Sequence, residues 1–401
     1  MKNIKTIGIY AYISPKLEII GGLEAQIYHL SKELSKRGFN VIIHSLNYDN
    51  EDYFRSGVDN DNIGIVSIKE GINNLDKNYE VSKYHSEDII FAFGIRDGKI
   101  YKAASYTAEK LGIPLVSFVY FTKEESDWRS KFKTIDNIPD CDSGEEYQKE
   151  YMDNFRKICD EIINESNLVI VPTEYVRGQL VSCTDYKNYD KIKVCYHGIY
   201  ESEHMQQNFN KWMMGEPSYV HASRLKHPQS IDKGIYWTDH FADTIGGKVH
   251  VCGNGNYKFR SENVIQHGLL QQDDLFDLLS RCNYSLIPSQ MEAGCTIALE
   301  SVMCNALPVA LNMAGLAEVM KMVGLDDYLV EPEKYYLGEK LFVYQPKDVS
   351  NVLHTSSSKI LSDLENAQKI IRNKYTVNKT TDKLLKILEG ELLLWLILYN
   401  S

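Results

Sequence analysis

The sequence predicts an α/β protein built from two doubly wound parallel sheets that follow each other along the chain. Three observations support this fold class. Short apolar runs alternate with amphipathic stretches of helical spacing, which is typical of a strand–helix–strand succession. The runs are almost continuously apolar, as strands are when helices cover both faces of a sheet. The succession stops at a polar connector, residues 201–217, and then starts again.

The first series begins near the amino terminus. An apolar strand is predicted from Ile7 to Ile13, and Gly21-Gly22 then precede a helix whose apolar residues are spaced three and four apart. Gly38 is expected to end this helix, because glycine readily adopts the conformation that follows a helix. Further strands are predicted at 41–44, 89–93, 115–119, 168–171 and 192–195.

The second series follows the connector with the same rhythm. Its strands are predicted at 219–222, 248–252, 264–267, 284–287 and 307–311. A helix from about Thr296 to Cys304 precedes the last of them. We therefore predict two domains, over 1–205 and 216–375. Ligands bind such sheets at the carboxyl ends of the strands, and we expect the site in a cleft between the domains.

Composition and charge limit the classes of function. Lys and Arg number 44 against 55 Asp and Glu, and the net charge of −11 disfavours a general nucleic-acid binder. The eight cysteines contain no closely spaced pair, which favours reduced thiols in a cytoplasmic protein. No apolar run reaches about 18 residues, so no transmembrane helix is expected.

One apolar run near the carboxyl terminus, Leu392 to Leu398, has two interpretations. The favoured one is a terminal helix packed on the body of the protein. The alternative is a peripheral contact with a membrane surface or a partner protein.

The strongest candidate site contains two glutamates separated by seven residues. Glu292 falls on the loop after a predicted strand, and Glu300 falls about one turn inside the next helix. The amides of Gly294, Cys295 and Thr296 then lie at a helix N-terminus, which favours a phosphate or sugar hydroxyls. In this arrangement Glu300 suits a ribose diol and Glu292 suits sugar hydroxyls. Spacing alone leaves open a surface glutamate pair beside a helix cap.

A pair of cations supplies the second element of the candidate site. Arg224 lies just past the strand at 219–222, and Lys233 opens the following helix. Two cations at such a place suit a diphosphate leaving group, with arginine making paired contacts and lysine acting as a point charge. The alternative is two solvated basic residues.

Two glycine clusters follow strands. Gly21-Gly22 come after the first strand, where glycine lets the backbone approach a ligand closely. Gly253-Asn254-Gly255 lack the third glycine of a dinucleotide-binding fingerprint, and a tight turn is the preferred interpretation.

Taken in order, these elements resemble the GT-B glycosyltransferases, specifically the large retaining family four, over about residues 5–375. The resemblance is carried by Gly21-Gly22-x-Glu24, Tyr196-His197-Gly198-Ile199-Tyr200, Ser223-Arg224-Leu225, Asp232-Lys233-Gly234, His267-Gly268-Leu269-Leu270, the pair Glu292 and Glu300, and Asn305-Ala306-Leu307-Pro308-Val309. Asn305 stands where the family usually has glycine.

The resemblance implies a fold and a set of roles. The fold would be GT-B, with a Rossmann-like acceptor-side domain over 1–205, a nucleotide-sugar-binding domain over 216–375, and a final helix over 376–401 that packs back on the first domain. Arg224 and Lys233 would bind the donor diphosphate and take part in catalysis with Glu292, which would also hold the donor sugar. Glu300 would hold the ribose.

The remaining roles implied by the resemblance fall on backbone groups. The amides of Gly294, Cys295 and Thr296 would contact sugar and phosphate. The loop at Gly21-Gly22 would close over the phosphate, and backbone near Leu270 would meet the nucleobase.

The implied activity is retaining transfer of a hexose-type sugar, from a UDP-linked donor to an acceptor hydroxyl, without metal or cofactor. The acceptor would be a glycan, a lipid-linked sugar or a small metabolite. Three alternatives stay open. One is transfer to modified bases of phage DNA, which the net charge disfavours. Another is a catalytically silent GT-B protein that binds a nucleotide-sugar or stabilises a partner transferase. The third is a GT-B epimerase or phosphorylase.

Overall fold

The computed structural model describes most of the chain, and the described residues form two compact units. The described ranges are 4–13, 22–46, 54–56, 61–68, 86–93, 98–120, 156–182, 190–205, 208–213, 216–225, 232–245, 247–336 and 342–399. The units divide between Tyr200 and Glu201 and again between Lys374 and Tyr375, so the first unit includes the carboxyl-terminal residues.

The first unit contains an eight-stranded sheet. Its strands are β1 (Thr6–Ala11), β2 (Asn40–Leu46), β3 (Phe54–Ser56), β4 (Ile63–Ile68), β5 (Ile89–Phe93), β6 (Leu115–Phe118), β7 (Leu168–Val171) and β8 (Ile192–Val194). They lie in the order β3-β4-β2-β1-β5-β6-β7-β8, and every pairing is parallel except β3 with β4. Every residue of β1, β5, β6 and β7 is buried, which explains why their sequences are apolar without alternation.

The second unit contains a six-stranded parallel sheet. Its strands are β9 (Tyr219–Ala222), β10 (Val249–Cys252), β11 (Val264–Gly268), β12 (Tyr284–Ile287), β13 (Leu307–Leu311) and β14 (Leu329–Val330). Their order is β11-β10-β9-β12-β13-β14, so the direction of winding reverses between β9 and β12. A crevice for ligands forms at the carboxyl ends of strands where the order reverses. The predicted fold class, two doubly wound α/β sheets in succession, is confirmed.

Helices cover both sheets. They are α1 (Gly22–Lys36), α2 (Lys99–Leu111), α3 (Glu174–Ser182), α4 (Ile235–Thr244), α5 (Gln272–Arg281), α6 (Thr296–Met303), α7 (Ala314–Met322), α8 (Ser350–Leu353), α9 (Ser357–Lys374) and α10 (Val377–Tyr399). The segment 156–165 is also helical. An antiparallel hairpin, β15 (Pro332–Tyr336) with β16 (Phe342–Pro346), follows β14 and was not predicted from the sequence.

Helix α10 belongs to the first unit. Leu384, Leu388 and Leu392 are buried in the same core cluster as β1 and β2. The chain reaches this position through Ile199, whose N–H donates to the Tyr375 carbonyl and whose own carbonyl accepts from Val377.

Gly198 is needed beside this junction. A Cβ atom at this position would lie 2.3 Å from Oγ1 of Thr380 and 2.6 Å from the backbone nitrogen of Val377. The glycine therefore lets the end of the first strand series meet α10. Within the described part of the chain, no helix is long and apolar enough to cross a membrane. The alternative of a membrane or partner contact through 392–398 stays a prediction.

Candidate functional site

The centre of the candidate site is an ion pair between two of the predicted residues. Lys233 Nζ donates a hydrogen bond to Oε1 of Glu292. The two side chains are 24% and 18% exposed, so a ligand can reach them. Lys233 precedes α4, which follows β9, and Glu292 lies on the loop after β12. The pair therefore spans the point where the strand order reverses.

Two further contacts bring these loops together. Gly234 has φ of +67°, and a Cβ atom there would lie 2.5 Å from the Pro288 carbonyl oxygen. Gln290 donates its N–H to the Asp232 carbonyl at 3.0 Å and its Nε2 to Oδ1 of Asp232 at 3.2 Å. The approach of the Lys233 and Glu292 loops thus depends on backbone and amide contacts as well as on the ion pair.

Neighbouring elements fix the loop that carries Glu292. The Glu292 carbonyl accepts the N–H of Gly315, at the start of α7, at 2.8 Å. Oε1 of Gln290 accepts the N–H of Tyr344, on β16, at 2.9 Å. Gln290 was not predicted as a site residue, because its role depends on partners 54 and 58 positions away.

Arg224 is exposed at the start of the loop that follows β9, and a buried histidine supports this loop. His221 is bonded to Oγ1 of Thr238 at 2.7 Å and to Oγ of Ser223 at 2.6 Å. Burial, together with the charge of Lys233, lowers the pKa of His221 to about 3, so its ring is neutral at physiological pH. Leu225, which follows Arg224, donates its N–H to the Asn254 carbonyl at 2.9 Å. Asn254 lies in the predicted turn after β10.

Glu300 is buried inside α6, on the side that faces the start of α5. Burial raises its pKa to about 7, and a hydrogen bond with the Gln272 side chain opposes part of that rise. Gln272 is two residues after Leu270, which is half-buried against the core cluster of Phe276 and Leu279. The structure therefore brings Glu300 near the turn that contains Leu270. Gln272 was missed by the sequence analysis.

The other predicted residues fall in two places. Cys295 has an extended backbone and precedes the first residue of α6, Thr296, so Gly294 to Thr296 form the start of this helix. Burial raises the pKa of the Cys295 thiol well above its usual range. Gly22 begins α1 in the first unit, and Gly21 lies outside the described residues. The ligand roles of all these residues stay predictions.

Comparison with known proteins bears on the fold. Residues 20–203 match the family model for Glycosyltransferase Family 4. Sucrose-phosphate synthase from Thermosynechococcus elongatus aligns with a TM-score of 0.63 at 12% identity, over 96% of this chain and 98% of its own. The Anabaena protein HepE, solved in complex with UDP and glucose, aligns with a TM-score of 0.63 at 13% identity, over 97% of this chain and 100% of its own. The chain has the GT-B fold.

A third solved structure with the same fold extends this comparison. The trehalose-6-phosphate synthase OtsA aligns with a TM-score of 0.63 at 11% identity, over 96% of this chain and 99% of its own. No curated protein matches the chain in sequence. The resemblance to GT-B glycosyltransferases that the motifs indicated is confirmed.

Metal ligands were not expected. Among the residues that the structure describes, no group of three or more His, Cys, Asp or Glu has an arrangement that could hold a metal ion. Metal-independent transfer nevertheless stays a prediction.

Proposed function

We propose that this GT-B protein is a retaining glycosyltransferase that moves a hexose-type sugar from a UDP-linked donor to an acceptor hydroxyl. The main support is the Lys233–Glu292 pair at the reversal point of the second sheet. A cation and a carboxylate there match the two parts of a nucleotide-sugar that need recognition, its diphosphate and its sugar hydroxyls. HepE, which shares the fold, was solved with UDP and glucose.

In the proposed reaction, negative charge develops on the departing diphosphate, which Arg224 and Lys233 would hold. The acceptor oxygen forms a bond to the anomeric carbon on the same face from which the nucleoside diphosphate leaves. The bond between that carbon and the phosphate oxygen breaks, and the departing phosphate takes the proton of the acceptor hydroxyl. Arg224, Lys233 and the amides at the start of α6 would stabilise the charge of the leaving group.

A thermal-shift panel of UDP, GDP, ADP and dTDP with their common sugars tests this proposal. A ligand at about 100-fold its dissociation constant adds roughly 2.7 kcal/mol to stability, which gives a clear rise in melting temperature. The panel is repeated on Lys233→Ala and Glu300→Ala. Removing the Lys233 ammonium should weaken binding by about 1.5–3 kcal/mol, since it deletes a charged hydrogen-bond donor.

The control is Lys321→Ala, which removes an exposed lysine at the end of α7 and should leave every shift unchanged. If one family of nucleotides shifts the wild-type protein but not the two site variants, transfer to candidate acceptors is then measured with that donor. If no nucleotide shifts the protein, the donor assignment is wrong, and a silent partner protein becomes the better explanation.

A further inference from the structure

The predicted diphosphate-binding cation, Lys233, is engaged by the predicted sugar-binding carboxylate, Glu292. Lys233 donates to Glu292, and both side chains are less than a quarter exposed. Burial lowers the pKa of Lys233, but the charge of Glu292 more than offsets this, so the net shift is upward. The ammonium therefore keeps its proton at neutral pH and is a charged donor to Glu292.

The backbone on both sides of this pair is held by other contacts. The Glu292 carbonyl is fixed by Gly315, and the Asp232 backbone is fixed by Gln290. Gln290 also anchors to β16 through Tyr344. Opening the ion pair consequently requires only rotation of the Lys233 and Glu292 side chains, and the two loops can stay in place.

We propose that the Glu292 carboxylate occupies the place of donor phosphate in the unliganded protein, and that its displacement makes the site favour nucleotide-sugars over bare diphosphates. This inference rests on the proposed function, because it assigns a ligand preference to the same site. It adds a role for Glu292 that precedes sugar binding.

The preference follows from charge. When a diphosphate takes Lys233, the Glu292 carboxylate loses its cation while a new anion arrives beside it. A nucleotide-sugar compensates by offering hydroxyl donors to the freed carboxylate, and charge-assisted hydrogen bonds of that kind are strong. A bare diphosphate offers no such donor. The product of transfer is therefore bound less well than the substrate, which favours product release.

Pyrophosphate and UDP-glucose are suitable probes, and isothermal titration measures both. Pyrophosphate carries the diphosphate charge without base or sugar. It therefore tests whether phosphate displaces Glu292 from Lys233, whichever base the donor has. We expect Glu292→Gln and Glu292→Ala to bind pyrophosphate roughly 10-fold or more tightly than the wild type. UDP-glucose loses its hydrogen bonds to the Glu292 carboxylate in both variants and should not gain affinity, so its preference over pyrophosphate should fall by about 10-fold or more.

The matched control is Glu365→Gln. Glu365 pairs with Lys369 on the exposed face of α9, and Glu365→Gln changes the net charge by the same amount as Glu292→Gln without touching the strand ends. It should leave both affinities unchanged. Pyrophosphate binding that is unchanged or weaker in both Glu292 variants overturns the inference, as does the absence of any pyrophosphate binding. If pyrophosphate binding tightens as expected while no nucleotide binds in the thermal panel, the displacement of Glu292 by phosphate is supported and the donor assignment is wrong.

Discussion

The carboxyl group of Glu300 lies buried beside the side chain of Gln272. Because the pKa of Glu300 is raised from 4.5 to about 7, the folded protein keeps this proton at pH values between the two, where the unfolded chain has released it. At the candidate site, a ribose diol would donate hydrogen bonds to this carboxyl group and favour its charged form. Binding of such a diol would therefore lower the pKa of Glu300.

We predict that, without added ligand, Glu300 lowers the free energy of unfolding as pH rises from about 4.5 to about 7. Below this window the group is neutral in both states. Above it, the folded protein must carry a buried charge, which costs about 3 kcal/mol relative to the unfolded chain. Denaturation of the wild type and Glu300→Gln across this range measures the effect.

The quantity to compare is the free energy of unfolding of Glu300→Gln minus that of the wild type at each pH. Glu300→Gln should become more stable relative to the wild type as pH rises, with the difference level above and below the window. A difference that is constant from pH 4.5 to 7 contradicts the assignment of the raised pKa. Using the difference cancels the titration of all other groups.

At the scale of elements, the two helices beside the candidate site share a basic residue at their carboxyl ends. Lys211 Nζ donates to the carbonyls of Leu279 and Ser280, at the end of α5, each at 3.2 Å. It also donates to the Cys304 carbonyl, just after α6, at 3.0 Å. Burial lowers the pKa of Lys211 to about 8. This lysine therefore caps α5 and α6, and the other end of α6 carries the predicted site residues Gly294 to Thr296.

We expect Lys211→Met to destabilise the second unit by about 1–3 kcal/mol. The substitution keeps most of the side-chain volume but leaves three carbonyl groups without their charged donor. Thermal denaturation followed by circular dichroism measures the loss. Lys321→Met, at the exposed end of α7, is the control and should change stability by no more than about 0.5 kcal/mol. A Lys211 variant as stable as this control would contradict the capping role.

At the scale of the whole molecule, the chain leaves the first unit at Tyr200 and returns to it at Tyr375. The last helix, α10, then completes the core of the first unit with Leu384, Leu388 and Leu392. Arg37, just after α1, donates to Asp382 at 2.7 Å and to the Asn378 carbonyl at 2.9 Å. The first unit therefore requires residues from both ends of the sequence.

We predict that Leu388→Ala destabilises the first unit by about 2–5 kcal/mol, because it opens a cavity in a fully buried position. The nucleotide binding that we propose for the second unit should persist in this variant, measured by titration below its unfolding temperature. The neighbouring Lys386→Ala removes an exposed side chain of α10 and serves as the control. A loss of stability in Lys386→Ala equal to that in Leu388→Ala would show that the buried contact is not the cause.

The positions of most elements could be predicted from the sequence, because burial leaves a local pattern. The predicted strands at 219–222, 284–287 and 307–311 coincide with β9, β12 and β13. Strands β3 and β4, the short strand β14 and the β15–β16 hairpin were missed. Two-residue β14 is too short to show a pattern, and the hairpin lacks the continuous apolar run of the central strands.

Asn305 shows a local feature that the sequence could indicate but not explain. It stands where the family that the motifs resemble usually has glycine, and its φ of +58° places it in the left-handed region. Asparagine tolerates that conformation better than most residues. Its carbonyl accepts from Trp212 Nε1 at 3.1 Å, and its Oδ1 accepts from Gln368 at 2.5 Å. Neither partner could be inferred from the spacing of the motif.

By itself, the sequence determined the fold class, the two strand series and the residues that stand at strand ends. These follow from periodicity and from residue type, which depend on near neighbours along the chain. Only the tertiary structure decided the order of strands, the pairing of Lys233 with Glu292, the contact of Gln272 with Glu300, and the support from Gln290. Those contacts join residues tens of positions apart, and their existence depends on how the sheet brings separate loops to one edge.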